Sequence, residues 1–228
     1  MNEALRCVPW CLLTIGMAVA ILSACGAPEL QLSDKSYGAS REGTASILVG
    51  YATRAGSTID VAETMGATLA SDGSHVEVKP IDHVTTLANY YAVVLGSAIR
   101  MGKVLPELQV FVEQHKNELA QRPVAYFVVC MTMKGDTPEN RATASGYLGP
   151  LRGLVSPIDV GLFAGKMDYS TVSWGSGVLA RVGGASSGDF RDFKLIAAWA
   201  AALGSKLRQQ GVSRVWEGRA TVLRGSPR

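Results

Sequence analysis

The sequence predicts an α/β domain in three layers, a parallel sheet with helices on both faces. Three observations predict it. Continuous apolar runs of strand length, Ile47–Val49, Tyr91–Leu95, Val124–Cys130 and Ile158–Ala164, read as strands covered on both sides. Segments with apolar residues at helical spacing lie between them, the first marked by Ile59, Ala62, Met65 and Leu69. Small and hydroxylated stretches follow the strands, so strand–helix units repeat and their crossovers are right-handed.

With 228 residues, 47% hydrophobic and 18% charged, the chain has the composition of one globular domain once its ends are set aside. Met1–Arg6 is a short polar start, and Val8–Ala24 is almost wholly apolar and ends in small residues. That pattern reads as an export signal over residues 1–24, with a transmembrane anchor as the rival reading. Leu22-Ser-Ala-Cys25 resembles the bacterial lipobox, which implies lipidation of Cys25 and a protein anchored on the extracytoplasmic side of a bacterial membrane. The mature chain then keeps only Cys25 and Cys130, and no internal disulfide forms. Residues 25–45 are polar and aperiodic and read as a flexible tether, with a reach of roughly 25 Å.

The folded domain is expected over residues 46–210. Its first strand leads through a polar turn into a helix closed near Gly73. His75–Lys79 alternates and runs into Pro80, which suits a strand on the sheet edge. Tyr91–Leu95 is followed by the loop Gly96–Gly102 and by a helix from Pro106 to about Gln121. Val124–Cys130 precedes an irregular stretch, Met131–Pro138, and a helix over Glu139–Leu151. Ile158–Ala164 is the fifth strand, Gly165–Gly188 a loop, and Phe193–Leu207 the final amphipathic helix. A basic tail occupies residues 211–228; over 204–228, six cations stand against Glu217 alone, a net +5. Solvation is the default for such a tail, and anionic headgroups are the alternative on a lipid-tethered chain.

The turn Thr53-Arg-Ala-Gly-Ser-Thr58 carries the chemistry. A helix start leaves backbone N–H groups without internal partners at the positive end of the dipole. Thr53, Ser57 and Thr58 add hydroxyls, and Gly56 admits close approach of an anion. No Lys precedes Ser57 or Thr58, so this is not a nucleoside-triphosphate loop, and only Gly50 and Gly56 are available for a dinucleotide fingerprint. A monophosphate site remains, beside the blander reading of a turn with a Ser/Thr cap. In a parallel sheet the turns after strands one, three and four converge at the carboxyl edge: Thr53–Thr58, Gly96–Gly102 and Met131–Lys134.

Tyr51–Thr58 resembles the phosphate loop of flavodoxin-like proteins, in particular the branch of quinone-dependent protoporphyrinogen dehydrogenases. Gly96–Lys103 resembles that branch's second flavin loop, and Ser187–Lys194 its entry to the last helix. The resemblance covers roughly residues 46–203 and implies a five-stranded parallel sheet in the order 2-1-3-4-5. It also implies FMN as cofactor, held by Thr53, Arg54, Ala55, Gly56, Ser57, Thr58, by Gly96, Ser97, Ala98, Ile99, Arg100, Met101, Gly102, and by Met131, Thr132 and Met133. Arg100 would stand near one edge of the flavin ring. Carrier flavodoxins sandwich the flavin between aromatic rings, whereas these loops offer Ile99, Met101, Met131 and Met133; Tyr169 and Trp174 are the aromatics left to cover it.

The implied activity is electron transfer from a protoporphyrinogen-like substrate to a quinone, at a membrane, with a quinone or redox-protein partner. Two alternatives stand beside it: a carrier with no substrate of its own, and a lipoprotein that kept the fold and lost FMN. A net charge of +3 differs from the acidity usual in carriers. No catalytic side chain, metal site or nucleic-acid surface is predicted: His75, His83 and His115 lack ligand spacing, and aromatic and basic residues do not interleave. Cys130, ending an apolar strand, reads as a buried hydrophobe.

Overall fold

The chain enters the sheet earlier than its hydrophobic pattern indicates. The computed structural model describes residues 30–40, 45–167 and 188–224, with side chains through residue 210. Lys35–Tyr37 forms β1, which corrects the expectation of a flexible tether across residues 25–45. Polarity misled here, because an edge strand needs only one apolar contact, and Tyr37 packs against the Val76/Val78 core while Lys35 meets Glu63 at 2.6 Å.

Ser46–Ala52 is β2, Ser57–Ala70 is α1 and Val76–Pro80 is β3. A single-turn 3₁₀ segment, Ile81–His83, leads toward β4, Tyr90–Arg100. Lys103–Val104 (β5) folds back on β4, and Pro106–Gln114 and Lys116–Leu119 form α2 and α3. Val124–Cys130 is β6, followed by a 3₁₀ turn at Met131–Lys134 and by α4 (Pro138–Gly146) and α5 (Gly149–Leu154). Asp159–Ala164 is β7, Lys166–Met167 is β8 and Gly188–Asp189 is β9. Phe193–Arg224 is α6, so much of the expected basic tail continues the last helix.

The main sheet runs β1-β3-β2-β4-β6-β7. Its five parallel strands, β3-β2-β4-β6-β7, hold the predicted order 2-1-3-4-5. Pro80 does not mark the outermost strand, because β1 pairs antiparallel along β3. Side-chain alternation builds two cores. Ile47, Val49 and Tyr51 face Val61, Met65, Ile196 and Leu203 of α1 and α6, whereas Leu48 and Ala52 share the opposite core with Leu108, Val112 and Leu151.

The largest departure concerns the stretch after Leu95. Gly96–Arg100, expected as a loop, continues β4 and turns back through Met101 and Gly102 into β5, with Ile99 opposite Val104 and Arg100 opposite Lys103. Residues 1–29, on which the expected export signal and Cys25 fall, lie outside the described residues, as do Tyr169 and Trp174.

Candidate functional site

β2, β4, β6 and β7 reach one edge in register: Ala52 lies opposite Ser97, Ala98 opposite Val129, and Cys130 opposite Ala164. The turns after Ala52, Cys130 and Ala164 therefore leave from a common edge, and β4 overruns it as a hairpin.

The turn Thr53–Gly56 leads into a helix whose N-terminus is open. Gly56 precedes the helix at φ 80°, a left-handed conformation that glycine adopts without strain, and no side chain among the described residues caps the start of α1. Thr53 is buried, and its hydroxyl accepts from the Gly56 N–H at 3.1 Å, which closes the turn. Thr58, the second helical residue, is 0% exposed, and its hydroxyl has no hydrogen-bond partner among the described residues. A buried hydroxyl without a partner costs about 1–3 kcal/mol. At a bare helix start it fits an anionic oxygen, and Ser57 adds a half-buried hydroxyl beside it. Gly165, directly after β7, faces that hydroxyl: a Cβ there would lie 3.9 Å from Ser57 Oγ.

The other residues of the turn divide. Ala55 is exposed, and Arg54 is engaged elsewhere, its guanidinium making a bidentate pair with Glu107 of α2 at 2.9 Å for both contacts. The Arg54 side chain thus braces the turn against α2.

In the second stretch, Gly96 and Ser97 are structural. A Cβ at Gly96 would overlap the Phe127 ring, so packing alone requires glycine there. Ser97 is fully buried; its hydroxyl donates to the Ala98 carbonyl at 2.6 Å and accepts from the Leu105 N–H at 2.9 Å. Ala98 and Ile99 pack on the core. Arg100, Met101 and Gly102 form the exposed hairpin tip, with Met101 93% exposed and at φ 51°.

In the third stretch Met133 is buried in the core, Met131 is half-buried, and the Thr132 and Tyr147 hydroxyls lie 3.1 Å apart. Tyr147 also faces the hairpin, its ring 3.7 Å from where a Gly102 Cβ would be. It joins the second and third turns, and no local signal in the sequence marks it. Cys130 is buried, and burial pushes its thiol up, away from thiolate chemistry.

Charge near the anion turn comes from residues that motif spacing does not pair. Lys166 of β8 lies opposite Asp189 of β9, and the Phe190 N–H donates to the Gly165 carbonyl at 3.2 Å, which brings the entry to α6 beside the turn. Arg191 hydrogen-bonds Asp189 and holds its carboxyl down to about 2, against the ordinary 3.8.

Residues 48–179 match the family described as Flavodoxin domain, which is more than half of the chain. The chain belongs to the flavodoxin domain family. Among similar proteins, one from Leishmania major named protoporphyrinogen IX dehydrogenase [quinone] is 33% identical over 125 residues, covering 52% of this chain and 53% of that protein. A protein of the same name from Escherichia coli K12 is 26% identical over 132 residues, covering 56% of this chain and 72% of that protein. The match thus spans about half the length of the Leishmania relative. Among solved structures, an archaeal flavodoxin aligns at 16% identity with a TM-score of 0.46, over 72% of this chain and 99% of that one. Flavodoxin 2 from Bacillus cereus aligns at 18% with a TM-score of 0.45, over 71% and 99%.

Proposed function

We propose that the domain binds FMN through its phosphate at Gly56–Thr58 and works as a flavin oxidoreductase, moving electrons from a protoporphyrinogen-like donor to a quinone. The observation that carries the reading is the buried, unpartnered Thr58 hydroxyl on an uncapped helix start. The donor set suits a phosphate monoester: backbone N–H groups, the Ser57 and Thr58 hydroxyls, and the Thr53 hydroxyl that shapes the turn. When bound, FMN supplies the hydride and electron chemistry.

The protein's part is position. Glu107 fixes the turn through Arg54, Tyr147 joins the hairpin to the Met131–Lys134 turn, and Arg100 with Met101 offers a cation and an apolar surface at the exposed tip. The substrate pair is inferred from the two relatives' names and from the matched flavodoxin domain.

Titrating the apoprotein with FMN and with riboflavin tests the site: FMN is expected to bind far more tightly, because only FMN carries the phosphate. Equal binding of the two overturns it. Oxidation of the FMN-loaded, reduced protein is expected to accelerate with quinone concentration, and independence from quinone rejects the dehydrogenase reading. The same reading places the chain at a membrane through a lipid on Cys25; Cys25→Ser is expected to shift it from the membrane to the soluble fraction.

A further inference from the structure

Arg191, on the loop before α6, has a side chain only 7% exposed. Its Nε and Nη2 donate to the two oxygens of Asp189 at 2.8 and 2.6 Å. Its Nη1 donates to Asp60 Oδ2 at 2.6 Å and to the Ser57 carbonyl at 3.3 Å. The Phe193 ring centroid lies 5.1 Å from the guanidinium carbon. Ser57 and Asp60 both belong to the first turn of α1, the turn that holds the orphan Thr58 hydroxyl. The guanidinium therefore joins two segments 134 and 131 residues apart at the anion position.

Asp60 has two opposed effects there. A carboxylate in the first turn stabilises a helix through the dipole, but it repels a second anion bound at the same end. With Arg191 paired to it, Asp60 keeps the first effect and loses most of the second. Asp189 is occupied by the same guanidinium and lies opposite Lys166, so it adds little net repulsion.

We propose that Arg191 is a positioning residue for the anion site: it neutralises Asp60 and fixes the first turn of α1, so that the turn accepts a dianionic phosphate. The inference rests on the FMN reading and deepens it.

Four proteins test it: the wild type, Arg191→Ala, Asp60→Asn and the double variant, with FMN read by fluorescence quenching and inorganic phosphate by calorimetry. Arg191→Ala is expected to weaken both ligands about tenfold at low ionic strength, and less at high salt. Adding Asp60→Asn is expected to restore most of that loss. A loss that Asp60→Asn leaves unrestored would mean a purely structural clamp and overturns the proposal. If Arg191→Ala fails to fold, Arg191→Gln with and without Asp60→Asn is scored the same way: FMN binding restored by Asp60→Asn supports the proposal, and a loss left unrestored overturns it. Wild-type protein that takes phosphate but no FMN overturns the flavin reading, while the same variants still score Arg191 with phosphate as probe. Binding of neither ligand overturns both.

Discussion

Two turns leave neighbouring strands at the same edge of the sheet, and they are built in opposite ways. After β2, the Thr53–Gly56 turn ends at a helix with no cap and a buried hydroxyl without a partner. Toward the end of β4 the strand runs on past that edge with its buried polar side chain paired, Ser97 both donating and accepting. The first turn leaves hydrogen-bonding capacity unspent and places its glycine at φ 80°. The second is self-sufficient through Ser97 and carries its strain at an exposed non-glycine, Met101, at φ 51°. A buried polar group left unpaired calls for an explanation, and a bound phosphate is the one proposed for Thr58; a paired one such as Ser97 calls for none.

The widest separation between the two is expected from Gly96→Ala. It should destabilise the fold by about 3 kcal/mol, because the Phe127 ring occupies the space of the new methyl and a central strand cannot move aside. Urea denaturation without ligand checks this; intact stability with FMN affinity alone reduced would place Gly96 in the binding turn after all. Next comes Thr58→Val, for which two signs are expected at once. FMN affinity should fall by about 1.5–3 kcal/mol with the lost charge-assisted bond, while the apoprotein gains about 1 kcal/mol because a stranded hydroxyl is gone. A paired titration and thermal melt would show both, and a loss in the apoprotein would contradict the orphan assignment.

Met101→Gly should stabilise the protein by about 0.5–1 kcal/mol, since an exposed side chain is exchanged for relief of a left-handed conformation. The smallest effect is acid-dependent. Asp189 has a depressed carboxyl, so its pairing with Arg191 stabilises the fold fully above its ordinary 3.8 and loses that contribution as the pH falls toward about 2. Melts of wild type and Asp189→Asn should converge over that interval; a constant gap would assign the pairing no share in acid stability.

Local pattern made the parallel sheet legible. Continuous runs such as Val124–Cys130 announce strands buried on two sides, and the order of the five parallel strands followed from the resembled family. The helix start at Ser57 was also readable, because strand, polar turn and helical spacing are contiguous. The role of Gly96 was not, since small residues read equally as loop or as room for a neighbour, and the neighbour is Phe127, thirty-one positions away. The partner of Arg54 was hidden for a similar reason: Glu107 is fifty-three positions away, and only the crossover to α2 brings it near. Tyr147 and the Asp60–Arg191 pair are likewise products of topology, invisible to spacing.

The bridge from Arg191 to Ser57 and Asp60 also orders events in time. During synthesis the strands and first helix emerge early, yet the brace that finishes their shared edge is among the last parts of the domain to leave the ribosome. A nascent chain halted before residue 191 would carry every hydroxyl of the turn and still lack the guanidinium that braces it.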